Sequence, residues 1–76
     1  MKNHETEFIK IGLNIAYYRK LKKLSQLGLA EKVGISRTHM SNIEAPNMPT
    51  AVSIDTLLDI ADALDVSAAQ LMDFSR

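Results

Sequence analysis

Residues 25–44, S-Q-L-G-L-A-E-K-V-G-I-S-R-T-H-M-S-N-I-E, constrain the fold more than any other part of the chain. Ser25 can cap a short helix from Gln26 to Val33 with its hydroxyl. Gly34 then supplies the left-handed residue that commonly ends a helix. Ser36 can cap a further helix from Arg37 to Glu44. Ala45 precedes Pro46 and is biased away from helical angles, so that helix stops there. The stretch therefore predicts two short helices joined by a tight turn. On the later helix, at about 100° per residue, Arg37, Ser41, Thr38 and Asn42 fall within an arc of about 140°. Met40 and Ile43 fall on the opposite side. One flank can moor the helix on a core while the other stays free.

The rest of the chain predicts three more helices and no strand, because Val and Ile recur at helical spacing rather than alternating. Residues 1–7 are expected to be a frayed tail, and residues 8–74 one domain. The first helix is expected from about Phe8 to Lys22, with Phe8, Ile11, Ile15 and Tyr18 as its apolar stripe. Lys20, Lys22 and Lys23 suit the C-terminal end of its dipole. Leu29, Ala30 and Val33 are the expected buried side of the second helix. In the loop A-P-N-M-P-T-A-V, Asn47 is the best candidate for a positive φ. Ser53 can cap a helix from Ile54 to Leu64, on which Ile54, Leu57, Leu58, Ala61 and Leu64 share one side and Asp55, Asp59 and Asp62 another. Asp65 stands where left-handed angles are needed, which Asp tolerates better than most residues. Ser67 and Gln70 form an S-x-x-Q capping box for a last short helix ending near Asp73.

A chain of 76 residues, 46% of them hydrophobic, has material for one small core. There is no cysteine, which excludes disulfides and thiolate zinc sites and makes a cytoplasmic location the default expectation. No apolar run is long enough for a membrane span. Net charge is zero, but its distribution is uneven. Lys10 to Arg37 holds seven basic residues and one acid (+6), whereas Thr38 to Ser75 holds six acids and no Lys or Arg (−6). Such a split can give a phosphate-facing side and an opposite side that repels phosphate. Each residue of the polar arc has a use in a DNA major groove: Arg can fork onto guanine, Asn can pair with adenine, and Ser or Thr can contact several base edges.

The segments I-x-x-x-I-x-x-Y-R (11–19), L-S-Q-x-x-L-A-E-K-V-G-I-S-R (24–37), I-E (43–44) and S-I-D-T-L-L-D-I-A-D-A-L-D-V-S (53–67) together resemble the helix-turn-helix of the Cro and lambda-repressor type, the XRE family. The resemblance implies an all-α, compact five-helix, lambda-repressor-like DNA-binding domain. It implies that Arg37, Thr38, Ser41 and Asn42 contact bases and that Gln26, at the start of the second helix, grips a phosphate. His39 is placed to reach a phosphate, as are Lys22 and Lys23 at the basic end of the first helix. Arg19 and Glu44 match a family ion pair tying the first helix to the end of the recognition helix. Lys23 stands where a glycine commonly ends the first helix.

The function these features imply is sequence-specific binding of double-stranded DNA by a small stand-alone transcriptional regulator, as a homodimer on a pseudo-palindromic operator. Leu71, Met72 and Phe74 form an apolar end that either makes the dimer surface or closes the domain's own core. A second reading stays open: a protein-interaction module, such as an antitoxin-like or accessory partner, with DNA binding secondary or lost. Enzyme chemistry finds no support. His4 and His39 lie on different elements and make no metal spacing. Gly12, Gly28 and Gly34 form no phosphate-cradling loop. No nucleophile has a base and an orienting partner, and no cofactor is expected.

Overall fold

A computed structural model describes residues 3–75, and among these the chain forms five helices and no strand. They are α1 (Glu5–Leu21), α2 (Gln26–Val33), α3 (Arg37–Glu44), α4 (Ile54–Leu64) and α5 (Ala68–Leu71). Helix α3 lies against α1 and α2, α4 covers α2, and the short α5 closes the bundle between α1 and α4. No helix among the described residues is long and apolar enough to cross a membrane.

Serine hydroxyls start four of the helices. Ser25, Ser36, Ser53 and Ser67 accept from the backbone N–H groups of Gly28, His39, Thr56 and Gln70. The Gln70 side chain returns a bond to the Ser67 amide, completing the capping box. Gly34 ends α2 at φ 84° and Asp65 ends α4 at φ 56°. Asn47 does not join them: among the described residues, the non-glycine positions with positive φ are Lys23 and Asp65. The loop turns instead through weak backbone bonding, with the Met48 amide on the Ala45 carbonyl at 3.3 Å.

Helix α1 begins at Glu5, three residues before the apolar stripe starts. Its first turn is polar and exposed, so no hydrophobic period marks it. The turn is held by the Asn3 side chain, which accepts from the Glu5 amide, and by Glu5 and Glu7 at the positive end of the dipole. Of the tail expected over residues 1–7, residues 5–7 are helical instead, Asn3 and His4 precede the helix, and Met1 and Lys2 lie outside the described residues.

Ile11, Ile15, Leu29, Ala30, Met40, Ile43, Leu57, Ile60, Ala61, Leu64 and Leu71 make the core. Val33 is only half-buried. Helix α4 corrects its expected face: Ile60 is fully buried, whereas Ile54 is 68% and Leu58 47% exposed. At about 100° per residue Ile60 lies opposite the acidic row, whereas Ile54 and Leu58 border it, so the helical period itself favours the observed face. The C-terminal end divides as well. Leu71 is fully buried, Phe74 packs on the rim of the core, and Met72 stays exposed. The buried Asn14 amide holds this segment to α1 by donating to the Leu71 and Asp73 carbonyls at 2.9 and 3.0 Å.

Gly12 marks the tightest crossing. A Cβ built there falls on the Ile43 carbonyl oxygen and within 3.3 Å of Glu44 Cα. Alanine is favoured over glycine in a helix by about 1 kcal/mol. Overpacking costs about 1–3 kcal/mol, and a backbone carbonyl cannot rotate aside as a side chain can. Gly12→Ala is therefore expected to lower the unfolding free energy, measured by denaturant titration, despite its helix propensity. Lys23→Gly is expected to act oppositely. Relief of the left-handed angle outweighs the entropy of glycine and raises stability by about 0.5–1 kcal/mol, read as a higher denaturation midpoint.

Candidate nucleic-acid interface

Glu44, the last residue of α3, is buried, and three donors converge on its carboxylate. Arg19 Nε donates to Oε2 at 2.8 Å and Nη2 to Oε1 at 2.9 Å. Gln26 Nε2 donates to Oε1 at 3.0 Å. The remaining arm of the guanidinium, Nη1, donates to the Leu24 carbonyl at 2.8 Å. One side chain of α1 thus joins the end of α3 to the chain entering α2. No buried side-chain nitrogen or oxygen among the described residues lacks a partner.

The other flank of α3 is free. Met40 and Ile43 are buried to within 1% of their surface. Arg37, Thr38 and Ser41 are exposed, and Asn42 and His39 are half-buried. The structure places Arg37, Thr38, Ser41 and Asn42 on one side of the helix, pointing away from the core. Their backbone is anchored by the Ser36 cap at one end and the Glu44 carboxylate at the other. The side chains of an arc held at both ends can meet a rigid partner in register.

Gln26 sits at the first turn of α2, beside the same flank. It shares a shallow cleft with Lys20, Ser41, Ala45 and Pro46, floored by Arg19 and Glu44. Its amide is already engaged with Glu44, so its orientation is set from within the molecule. Reading the sequence missed this bond because Gln26 and Glu44 are 18 residues apart and neither type demands the other. Lys20 was likewise missed as a neighbour of the arc; its place follows from how α1 crosses α3. Lys22 and Lys23 are exposed just after α1. The Asp55, Asp59 and Asp62 row is exposed on α4, which packs chiefly on α2 and α5, whereas α3 packs on α1 and α2. The carboxylates are thereby kept off the polar arc.

Two capped helices set by a left-handed glycine, with the later one moored along an apolar edge, define a helix-turn-helix domain. The helix-turn-helix family model matches residues 15–71, and the chain belongs to this family, of the XRE type. It is 43% identical over 63 residues to the HTH-type transcriptional regulator SinR of Bacillus subtilis, covering 83% of this chain and 56% of SinR. The chain thus spans a little over half the length of that relative. Among solved structures, the restriction-modification controller protein C.AhdI of Aeromonas hydrophila superposes with a TM-score of 0.79 at 30% identity, covering 87% of this chain and 97% of that one. The crystal structure of SinR, described as the master regulator for biofilm formation, in complex with DNA superposes with a TM-score of 0.76 at 43% identity, covering 83% and 98%. SinR is also known in a complex with the SinI protein.

Removing Arg19 would leave a buried carboxylate with one neutral donor. Arg19→Ala is expected to cost about 3–5 kcal/mol of stability, the range for breaking a buried pair from one side. Arg19→Lys should recover only part of that loss, because an ammonium cannot reproduce the two-pronged contact. Thermal and denaturant unfolding of the two variants checks both statements.

Proposed function

We propose that this chain binds double-stranded DNA sequence-specifically as a small helix-turn-helix transcriptional regulator, with α3 in the major groove. The observation that carries the reading is the two-sided character of α3. Met40 and Ile43 hold one side in the core, and Arg37, Thr38, Ser41 and Asn42 stand together on the other. In this reading those four contact base edges, with Arg37 and Thr38 at the inserted end. Gln26, held by Glu44, keeps a second amide hydrogen for a phosphate beside the N-terminus of α2. His39, Lys22 and Lys23 meet other phosphates. The DNA complex of SinR supports the reading, because the aligned part of that protein is its fold counterpart here.

A monomer of this size makes few contacts, so we place two copies on a pseudo-palindromic operator, with half-sites about 34–36 Å apart. Of the C-terminal apolar residues, Met72 is the one exposed enough to serve such a pair, since Leu71 is used in the core. The SinR–SinI complex supports a protein partner as a further means of control. Residence in the cytoplasm follows from this role.

Selection of bound oligonucleotides from a random pool tests the proposal directly. It should return a defined motif with a regular half-site spacing, and a pool without enrichment would refute sequence-specific binding. Titration with salt should weaken binding with a slope of about −0.9 per phosphate contacted. A flat response favours the interaction-module reading instead. Arg37→Ala should lower discrimination between operator and random DNA by about 1–3 kcal/mol, whereas Lys22→Ala should weaken both alike and reduce the salt slope by about 1.

A further inference from the structure

Two helix faces of opposite charge lie outside the polar arc of α3, one of them bordering its cleft at Lys20. At about 100° per residue, Lys20, Leu13, Thr6, Tyr17, Lys10 and Leu21 of α1 share an arc of about 100° that contains no carboxylate. Its apolar members are open: Leu13 is 48%, Tyr17 44% and Leu21 60% exposed. The face runs into a mainly apolar groove between α1 and the C-terminal segment, walled by Leu13, Tyr17 and Phe74. Lys10 stands over the Phe74 ring, 5.6 Å from its centre. Asp73, the carboxylate of the groove, is turned to Ser75, accepting from its amide and hydroxyl at 3.0 and 2.6 Å.

The outer face of α4 is the complement. Ile54, Leu58, Asp62, Asp55 and Asp59 share an arc of about 140° with no basic residue. Lys32 shares a cleft with Asp59 and Asp62, but no ion pair to these three carboxylates forms among the described residues. Ile54 is the most exposed of the large apolar side chains among the described residues.

We propose that these faces bind each other between neighbouring copies of the chain. Ile54 and Leu58 of one copy seat in the groove of the next, against Leu13, Tyr17 and Phe74. Asp55, Asp59 and Asp62 then face Lys10 and Lys20. Charge decides the pairing. An α4-to-α4 contact would set three carboxylates against three, and an α1-to-α1 contact would set lysines against lysines; both are repulsive. Because the two faces differ, the contact is heterologous. Each added copy leaves one face of each kind free, so assembly lengthens instead of closing. Each face carries few residues, which places the contact in the weak, transient class. The acidic face lies on α4, which packs chiefly on α2 and α5, whereas the basic face reaches the cleft beside Ser41 at Lys20 and Leu13. The inference concerns the protein alone and does not depend on DNA binding.

Sedimentation velocity of the full chain without DNA tests it. At low ionic strength the average mass should climb past that of a dimer as concentration rises to the millimolar range. It should fall back at about 1 M salt, where the Debye length is only about 3 Å. Leu13→Glu damages the basic face and Leu58→Glu the acidic one; both positions are half exposed, and circular dichroism checks that each variant folds. Each variant alone should stay free of this growth. Mixed, they should form a closed one-to-one pair, because one intact face of each kind remains. A wild-type chain that never exceeds a dimer at millimolar concentration overturns the proposal. So does growth that survives in either variant, or a mixture that forms no mixed pair.

Discussion

The carboxylate of Glu44, buried at the end of α3, sets the position of the recognition helix. It is largely removed from solvent at the floor of a cleft, so its lone pairs call for donors from the protein. The donors it meets belong to α1 and the start of α2. A planar guanidinium meets a planar carboxylate in one orientation, which fixes rotation as well as distance. The same guanidinium reaches the Leu24 carbonyl, so the turn between α1 and α2 is tied to the same point. A pair like this need not add much net stability, because desolvation opposes its attraction. Here it determines geometry: α3 can end in one place only.

Packing makes the same demand in another way. Gly12 lets the backbones of α1 and α3 approach until a methyl group would no longer fit. Met40 and Ile43 then fill the space between α3 and the core. Polar fork and apolar edge lie at one crossing, and both hold α3 with Arg37, Thr38 and Ser41 outward. The rigidity of a two-turn helix thus comes from its surroundings, as expected where isolated short helices are marginal.

Charge follows the layout of the helices. The chain is neutral overall, yet its lysines gather along α1 and the turn after it, while Asp55, Asp59 and Asp62 line the outside of α4. Since α4 is packed on α2 and α5, its carboxylates stand away from the flank that would meet phosphate. Net charge is therefore a poor guide to partners for a chain this small; the field near each face matters more.

What local chemistry dictates was legible in the residue order. Ser25, Ser36, Ser53 and Ser67 announce helix starts, and Gly34 and Asp65 announce stops, because caps satisfy backbone groups within a few residues. The spans of α2, α3 and α4 follow from these signals, and so does the two-sided pattern of α3, whose polar and apolar residues divide cleanly. The buried side of α4 was legible too, since Leu57, Ile60, Ala61 and Leu64 centre opposite Asp55, Asp59 and Asp62 at about 100° per residue. Two features waited on the tertiary structure. The need for glycine at residue 12 comes from the Ile43 carbonyl of another helix. The Gln26 amide is bound by a carboxylate distant in the chain. Each depends on groups brought together by packing, and no local pattern records which ones will meet.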